Sequence, residues 1–123
     1  MRIKWWQHRK IMSENGVSIK MKKIGIIGAM ELEVETLKSK MNVAKTTKKA
    51  NMEFFEGTLN GVEVVIVRSG IGKVNAGICT QILADIFDVT HIINTGIAGS
   101  LDAQIDIGDI VVSTDVLQHD MDV

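Results

Sequence analysis

The chain has no proline, a single cysteine and few aromatic residues, and each shortage removes a class of explanation. With Cys79 alone, no disulfide framework can form within the chain, and a reducing cytoplasm is the natural compartment. Cys79 lies in an apolar helical pattern with no histidine nearby in sequence to activate it, so it reads as a small core residue, not a nucleophile. Aromatics make up 4% of the residues and the formal net charge is −1; no basic patch is interleaved with aromatics, which argues against a nucleic-acid partner. No run approaches the roughly 18 to 20 apolar residues that a membrane span needs. No proline, repeat or low-complexity segment marks a domain boundary after residue 21.

What is present is a globular composition. A chain of 123 residues with 46% hydrophobic content is long enough for one compact domain with a real core. The opening differs from the rest: Arg2, Lys4, Arg9, Lys10 and Lys20 against Glu14 give residues 1–20 a net +4, leaving −5 for residues 21–123, and Trp5 and Trp6 are the only tryptophans. No apolar stretch of signal-peptide length and no small-residue cleavage site follows these basic residues. Residues 1–21 are therefore expected to be a poorly ordered leader, an extension or start-site artefact with Met12 and Met21 as alternative starts, and residues 22–123 the folded part.

Ile- and Val-rich runs predict strands over Lys23–Gly28, Met52–Leu59, Val62–Ser69, His91–Thr95 and Asp109–Ser113. Helical periodicity predicts helices over Met30–Met41 and Lys73–Phe87. Asn60-Gly61 between the second and third strands is the preferred pair for a type I′ turn and predicts a hairpin. The fold class is α/β, a mixed sheet with helices packed on it.

The strand Lys23–Gly28 runs through Gly28 into an acidic helix start, which puts carboxylates at the carboxyl end of a strand, where α/β proteins keep their ligand sites. Met30, Val34, Leu37 and Met41 form one narrow apolar stripe, expected to be the buried face. Glu31 and Glu35 project away from it, whereas Glu33 lies only about 60° from its centre and is expected to be half-buried. Desolvation would raise the pKa of Glu33 toward the range useful to a general acid or base. A first-turn glutamate also satisfies helix N–H groups and the helix dipole, and spacing alone favours that plainer role.

Two further glycine-bearing loops follow strands. Ser69-Gly70-Ile71-Gly72-Lys73 could cradle an anion or a sugar hydroxyl on backbone N–H groups, or be no more than a tight strand-to-helix turn. It is not a Walker A loop, because Val67 and Val74 stand where Gly and Ser or Thr are required, and not a dinucleotide fingerprint, because Asn75 stands where the third glycine belongs. Asn94-Thr95-Gly96-Ile97-Ala98-Gly99-Ser100 again puts small residues where backbone can approach a flat ligand. Three such loops are expected to meet at one edge of the sheet. His119-Asp120-Met121-Asp122 holds metal-ligand types at a spacing that is not diagnostic, and no metal or cofactor is assigned. His91 precedes a strand expected to be buried and reads as a strand-edge residue, and His8 belongs to the leader.

Taken in order, Ile24–Val34, Ser69–Ala76, Asn94–Gly99, Gly108–Ser113 and His119–Val123 resemble the amino-terminal half of the bacterial 5′-methylthioadenosine/S-adenosylhomocysteine nucleosidases, of the purine nucleoside phosphorylase-like family. The resemblance covers residues 22–123. It implies hydrolysis of the N-glycosidic bond of either nucleoside to adenine and a thioribose, a step of methionine salvage, with a small-molecule nucleoside as the partner and no cofactor. It implies that Glu33 binds and activates the attacking water, that Ala29 and Met30 line the ribose and water side, and that Ser69, Gly70 and Ile71 border the ribose and 5′-alkylthio region. Ile97 takes a position often occupied by a small residue in relatives, and Val123 begins the segment touching the purine. Family members commonly work as homodimers that complete the pocket near Val123. The family's second half carries a Met-Glu pair on the ribose hydroxyls and an Asp that protonates the purine, so negligible turnover and some uncovered sheet surface are expected of these 123 residues alone. Phosphorolysis remains an alternative through Arg68 and Lys73, as does a non-catalytic nucleoside-binding or assembly module.

Overall fold

The computed structural model describes residues 21–118 and Asp120; the expected leader, save Met21, and His119 and residues 121–123 lie outside them. Residues 21–97 and the described residues from Ala98 onward belong to two separate units.

In the first unit, β1 (Lys23–Gly28) is followed by α1 (Glu31–Lys40), β2 (Asn42–Lys49), β3 (Met52–Leu59), β4 (Val62–Arg68), α2 (Lys73–Asp85) and β5 (His91–Asn94). The five strands form one mixed sheet in the order β2-β3-β4-β1-β5. β4, β1 and β5 are parallel, with Ile26 opposite Ile66 on one side and Ile93 on the other. β2 and β3 add antiparallel strands beyond β4. The expected α/β class and the β3–β4 hairpin are both present. Asn60 and Gly61 have φ of 50° and 78°, the double positive φ of a type I′ turn.

The apolar run of β4 is continuous because both its faces are covered. Val65 and Val67 join Ile27, Met52, Phe54, Cys79, Leu83 and Phe87 under α2. Val64 and Ile66 join Ile26, Val34 and Met41 under α1. Burial in such clusters stabilises by roughly 1.5–3 kcal/mol per large side chain, which is why two short helices suffice to hold the sheet. Cys79 is fully buried, and desolvation pushes its thiol up to about 11, in keeping with a core role.

Four details depart from expectation. β2, Asn-Val-Ala-Lys-Thr-Thr-Lys-Lys, carries no hydrophobic alternation; it is an edge strand exposed along nearly its whole length and held by its backbone ladder to β3. Met30 is the N-cap of α1 and stays exposed, so the buried stripe reduces to Val34, Leu37 and Met41. β5 is the other edge strand, its residues all exposed, His91 included, instead of a buried strand. In the second unit Asp109–Ser113 forms no strand: among the described residues none pairs with it, and Ile110, Val111 and Val112 are exposed. That unit is instead shaped by local turns, such as Gln104 N–H donating to Asp102 Oδ1 at 2.9 Å and Asp106 N–H to Asp109 Oδ2 at 2.9 Å.

Candidate active site

Parallel pairing of β4, β1 and β5 brings the loops after all three strands to one end of the sheet, as the sequence predicted. Backbone hydrogen bonds fix them to one another. Ser69 N–H donates to the Gly28 carbonyl at 2.9 Å, and Thr95 N–H donates to the Ile27 carbonyl at 2.9 Å. Ser69 is buried, its hydroxyl donating to the Gly70 carbonyl at 2.9 Å.

Glu33 sits at the centre of this junction. As third residue of α1 its side chain turns back over the helix start, where the Ala29 and Met30 N–H groups donate to Oε2 at 2.7 and 2.9 Å. Its other oxygen, Oε1, receives a longer contact of 3.4 Å from the Ile97 N–H beyond β5. The residue is half-buried, as its spacing implied. The expected direction of its pKa is wrong: the Met30 N–H, with those of Ile97 and Ala29, holds the carboxyl below its ordinary value and outweighs the opposing desolvation. Glu33 is thus both the plain helix-start acceptor and an ionised carboxylate at the meeting point of two loops.

Beside it runs an open groove of about 460 Å³, lined by Ala29, Met30, Ser69, Gly70 and Ile71 among others. Five of the expected ligand-side residues therefore line one groove. Ile97 does not join them; its side chain is 85% exposed, and only its backbone N–H reaches the site. Val123 lies outside the described residues.

A further part of the lining was not anticipated. Ala50, Asn51 and Met52, at the β2–β3 turn, also line the groove, with Ala50 and Asn51 at φ of 47° and 60°. Nothing in the pattern of β2 marked a strand, so no signal pointed to this turn. Arg68 also lines the groove; it is 57% exposed and its Nε lies 3.8 Å from Glu31, whose other oxygen pairs with Lys38. Asn75 spans the loop after β4, its amide donating to the Ile71 carbonyl at 2.8 Å. Among the described residues no group of His, Cys, Asp and Glu could hold a metal ion. Glu33 is not itself among the lining residues, but Ala29 and Met30, whose N–H groups hold its carboxylate, are, so an ionised, acceptor-only group lies next to residues that line the groove.

Comparison with known proteins places these features in a family. The 5′-methylthioadenosine/S-adenosylhomocysteine nucleosidase of Colwellia psychrerythraea is 55% identical over 100 residues, covering 81% of this chain and 41% of the relative. That of Halalkalibacterium halodurans is 52% identical over 102 residues, covering 83% and 44%. The crystal structure of the Colwellia enzyme in complex with adenine superposes with a TM-score of 0.81 at 51% identity, covering 87% of this chain and 44% of that one. The chain thus spans about two fifths of the length of the curated relatives it matches. The sequence model of the phosphorylase superfamily matches residues 23–123, and the chain belongs to that superfamily.

Proposed function

We propose that residues 22–123 supply the water-holding part of an N-glycosyl hydrolase site acting on 5′-methylthioadenosine and S-adenosylhomocysteine. The observation that carries this reading is the Glu33 carboxylate, with Oε2 committed to two backbone N–H groups and Oε1 left with one long contact. It agrees with the relatives, which are nucleosidases for these two compounds.

In the proposed reaction water attacks the anomeric carbon as the bond to the purine nitrogen breaks; the bonding electrons leave with the purine, which takes up a proton, and the proton lost by the water passes to the Glu33 carboxylate. Charge builds on an oxocarbenium-like sugar, so a fixed negative group beside it stabilises the transition state. Glu33, ionised at neutral pH, serves as acceptor: Oε1 orients the water and Oε2 holds the side chain still. Ala29, Met30, Ser69, Gly70 and Ile71 line the sugar and its 5′-thioether, and the segment beginning at Val123 takes the purine. Water is favoured over phosphate because the loop after β1 carries no arginine and Arg68 faces the Glu31 carboxylate.

The same reading makes the working protein a cytoplasmic homodimer serving methionine salvage. A free, buried cysteine suits a reducing compartment, and no described helix is long and apolar enough to cross a membrane. Sedimentation tests the dimer. The test of the activity is a chimaera in which residues 23–123 replace the matched part of the Colwellia nucleosidase. Adenine release from methylthioadenosine, unchanged by added phosphate, is expected; phosphate-dependent release with a sugar phosphate product would favour phosphorolysis, and substrate binding without turnover a binding module.

A further inference from the structure

Two glycines flank Glu33, and an added methyl group would meet different obstacles at each. At Gly28, the end of β1, a Cβ would lie 2.7 Å from Val34 Cγ1, 3.1 Å from Glu33 Cβ and 3.4 Å from Glu33 Oε2. Val34 is fully buried beneath α1, so that collision is with the core. At Gly96, a Cβ would lie 2.8 Å from Glu33 Oε1, 3.1 Å from its Cδ and 3.5 Å from Oε2, all atoms of one carboxyl group.

We infer that Gly96 is a positioning residue: its missing side chain is the space in which the Glu33 carboxylate sits, and its backbone is the wall that sets where Oε1 points. Three observations join in this. The backbone beside Gly96 cannot retreat, because Thr95 N–H is bonded to the Ile27 carbonyl at 2.9 Å. The next residue, Ile97, donates its N–H to the same oxygen. Gly96 does not occupy the left-handed region, so alanine is conformationally allowed and only space forbids it. The group that yields to a methyl is therefore the far end of a side chain, which turns Oε1 from the Ile97 N–H while the fold stays as it is. A methyl at Gly28 would press on the core as well as on Glu33, whereas one at Gly96 meets the carboxyl group alone. Its catalytic consequence rests on the proposed nucleosidase reading; its geometric content does not.

The experiment compares the chain with its Gly96→Ala variant, both carrying carboxyl-labelled glutamate, by following the Glu33 carboxyl carbon through an acid titration. In the parent, Glu33 titrates below the ordinary glutamate range; in Gly96→Ala its midpoint moves up by about half a pH unit or more and the Ile97 amide exchanges faster. Thermal denaturation of the same samples at neutral pH shows the midpoint little changed, because the narrower unfolded ensemble of alanine offsets the small stability lost with the raised carboxyl pKa. Coincident Glu33 titrations in the two proteins overturn the inference. So does a large fall in thermal midpoint, which would mean that the methyl meets the fold and not the carboxylate. Neither readout needs turnover, so a chimaera that releases no adenine would defeat the nucleosidase reading and leave this one standing.

Discussion

The Glu33 carboxylate accepts the Ala29 N–H at 2.7 Å, closing a loop in which the last turn out of β1 is held by the third residue of α1. This bond, with its companion from Met30, ties the start of a helix to the end of a strand and fixes an anion beside an open groove. Stability and chemistry therefore draw on the same side chain.

The first prediction follows from linkage. A carboxyl whose folded pKa is depressed contributes stability that is fully present above its unfolded value, near 4.5, and is lost as pH falls through the folded value. Glu33→Gln lacks the charge, and its amide presents a donor either to the Ile97 N–H or to the Ala29 and Met30 pair. Glu33→Gln is expected to melt below the parent at pH 7, with the gap closing on acidification through the carboxylate range. Thermal melts across that range check it, and a gap independent of pH would count against the hydrogen-bonded anion.

Core packing under α2 gives the second. Phe54 is fully buried and stacks on Phe87 with ring centroids 4.8 Å apart and planes inclined by 22°. Phe54→Ala removes that ring pair and leaves a cavity between sheet and helix, at a cost of about 3–5 kcal/mol. The shift in the urea unfolding midpoint measures it.

How far the sequence reveals this molecule depends on what specifies each part. β1, β3, β4 and both helices are legible because burial writes a period into their side chains, and the Asn60-Gly61 turn because its backbone demands positive φ. β2 is illegible because it is held mainly by its backbone ladder, with the exposed Lys48–Glu53 ion pair beside it, and buries no apolar face: Thr46 and Thr47 pair with Phe55 and Phe54 while β2 remains exposed along nearly its whole length. Asp109–Ser113 shows the converse, a strand-like composition with no strand beside it. At the site, spacing locates Glu33 and its half-burial but misjudges its charge state. The deciding groups are backbone N–H donors of Ala29, Met30 and Ile97, which every residue but proline carries and no side-chain pattern reports.

The hairpin gives a third prediction. Gly61 has φ of 78°, and a Cβ there would meet nothing within 4 Å, so Gly61→Ala isolates the backbone cost of the left-handed conformation. The expected loss is about 1–2 kcal/mol, read by chemical denaturation, with strand pairing unchanged.

Cys79 supplies the fourth. Fully buried and with its thiol pushed up to about 11, it is expected to resist a thiol reagent at pH 8 in the native chain and to react at once in denaturant. Rapid native labelling would show that α2 opens readily from the sheet.

Whether an ionised Glu33 holds the nucleophilic water is read from adenine release by the Colwellia chimaera with and without Glu33→Gln. Release by the parent chimaera is expected, with a loss on the order of 10²- to 10⁴-fold on substitution and methylthioadenosine binding retained. Equal rates from the two chimaeras would contradict it.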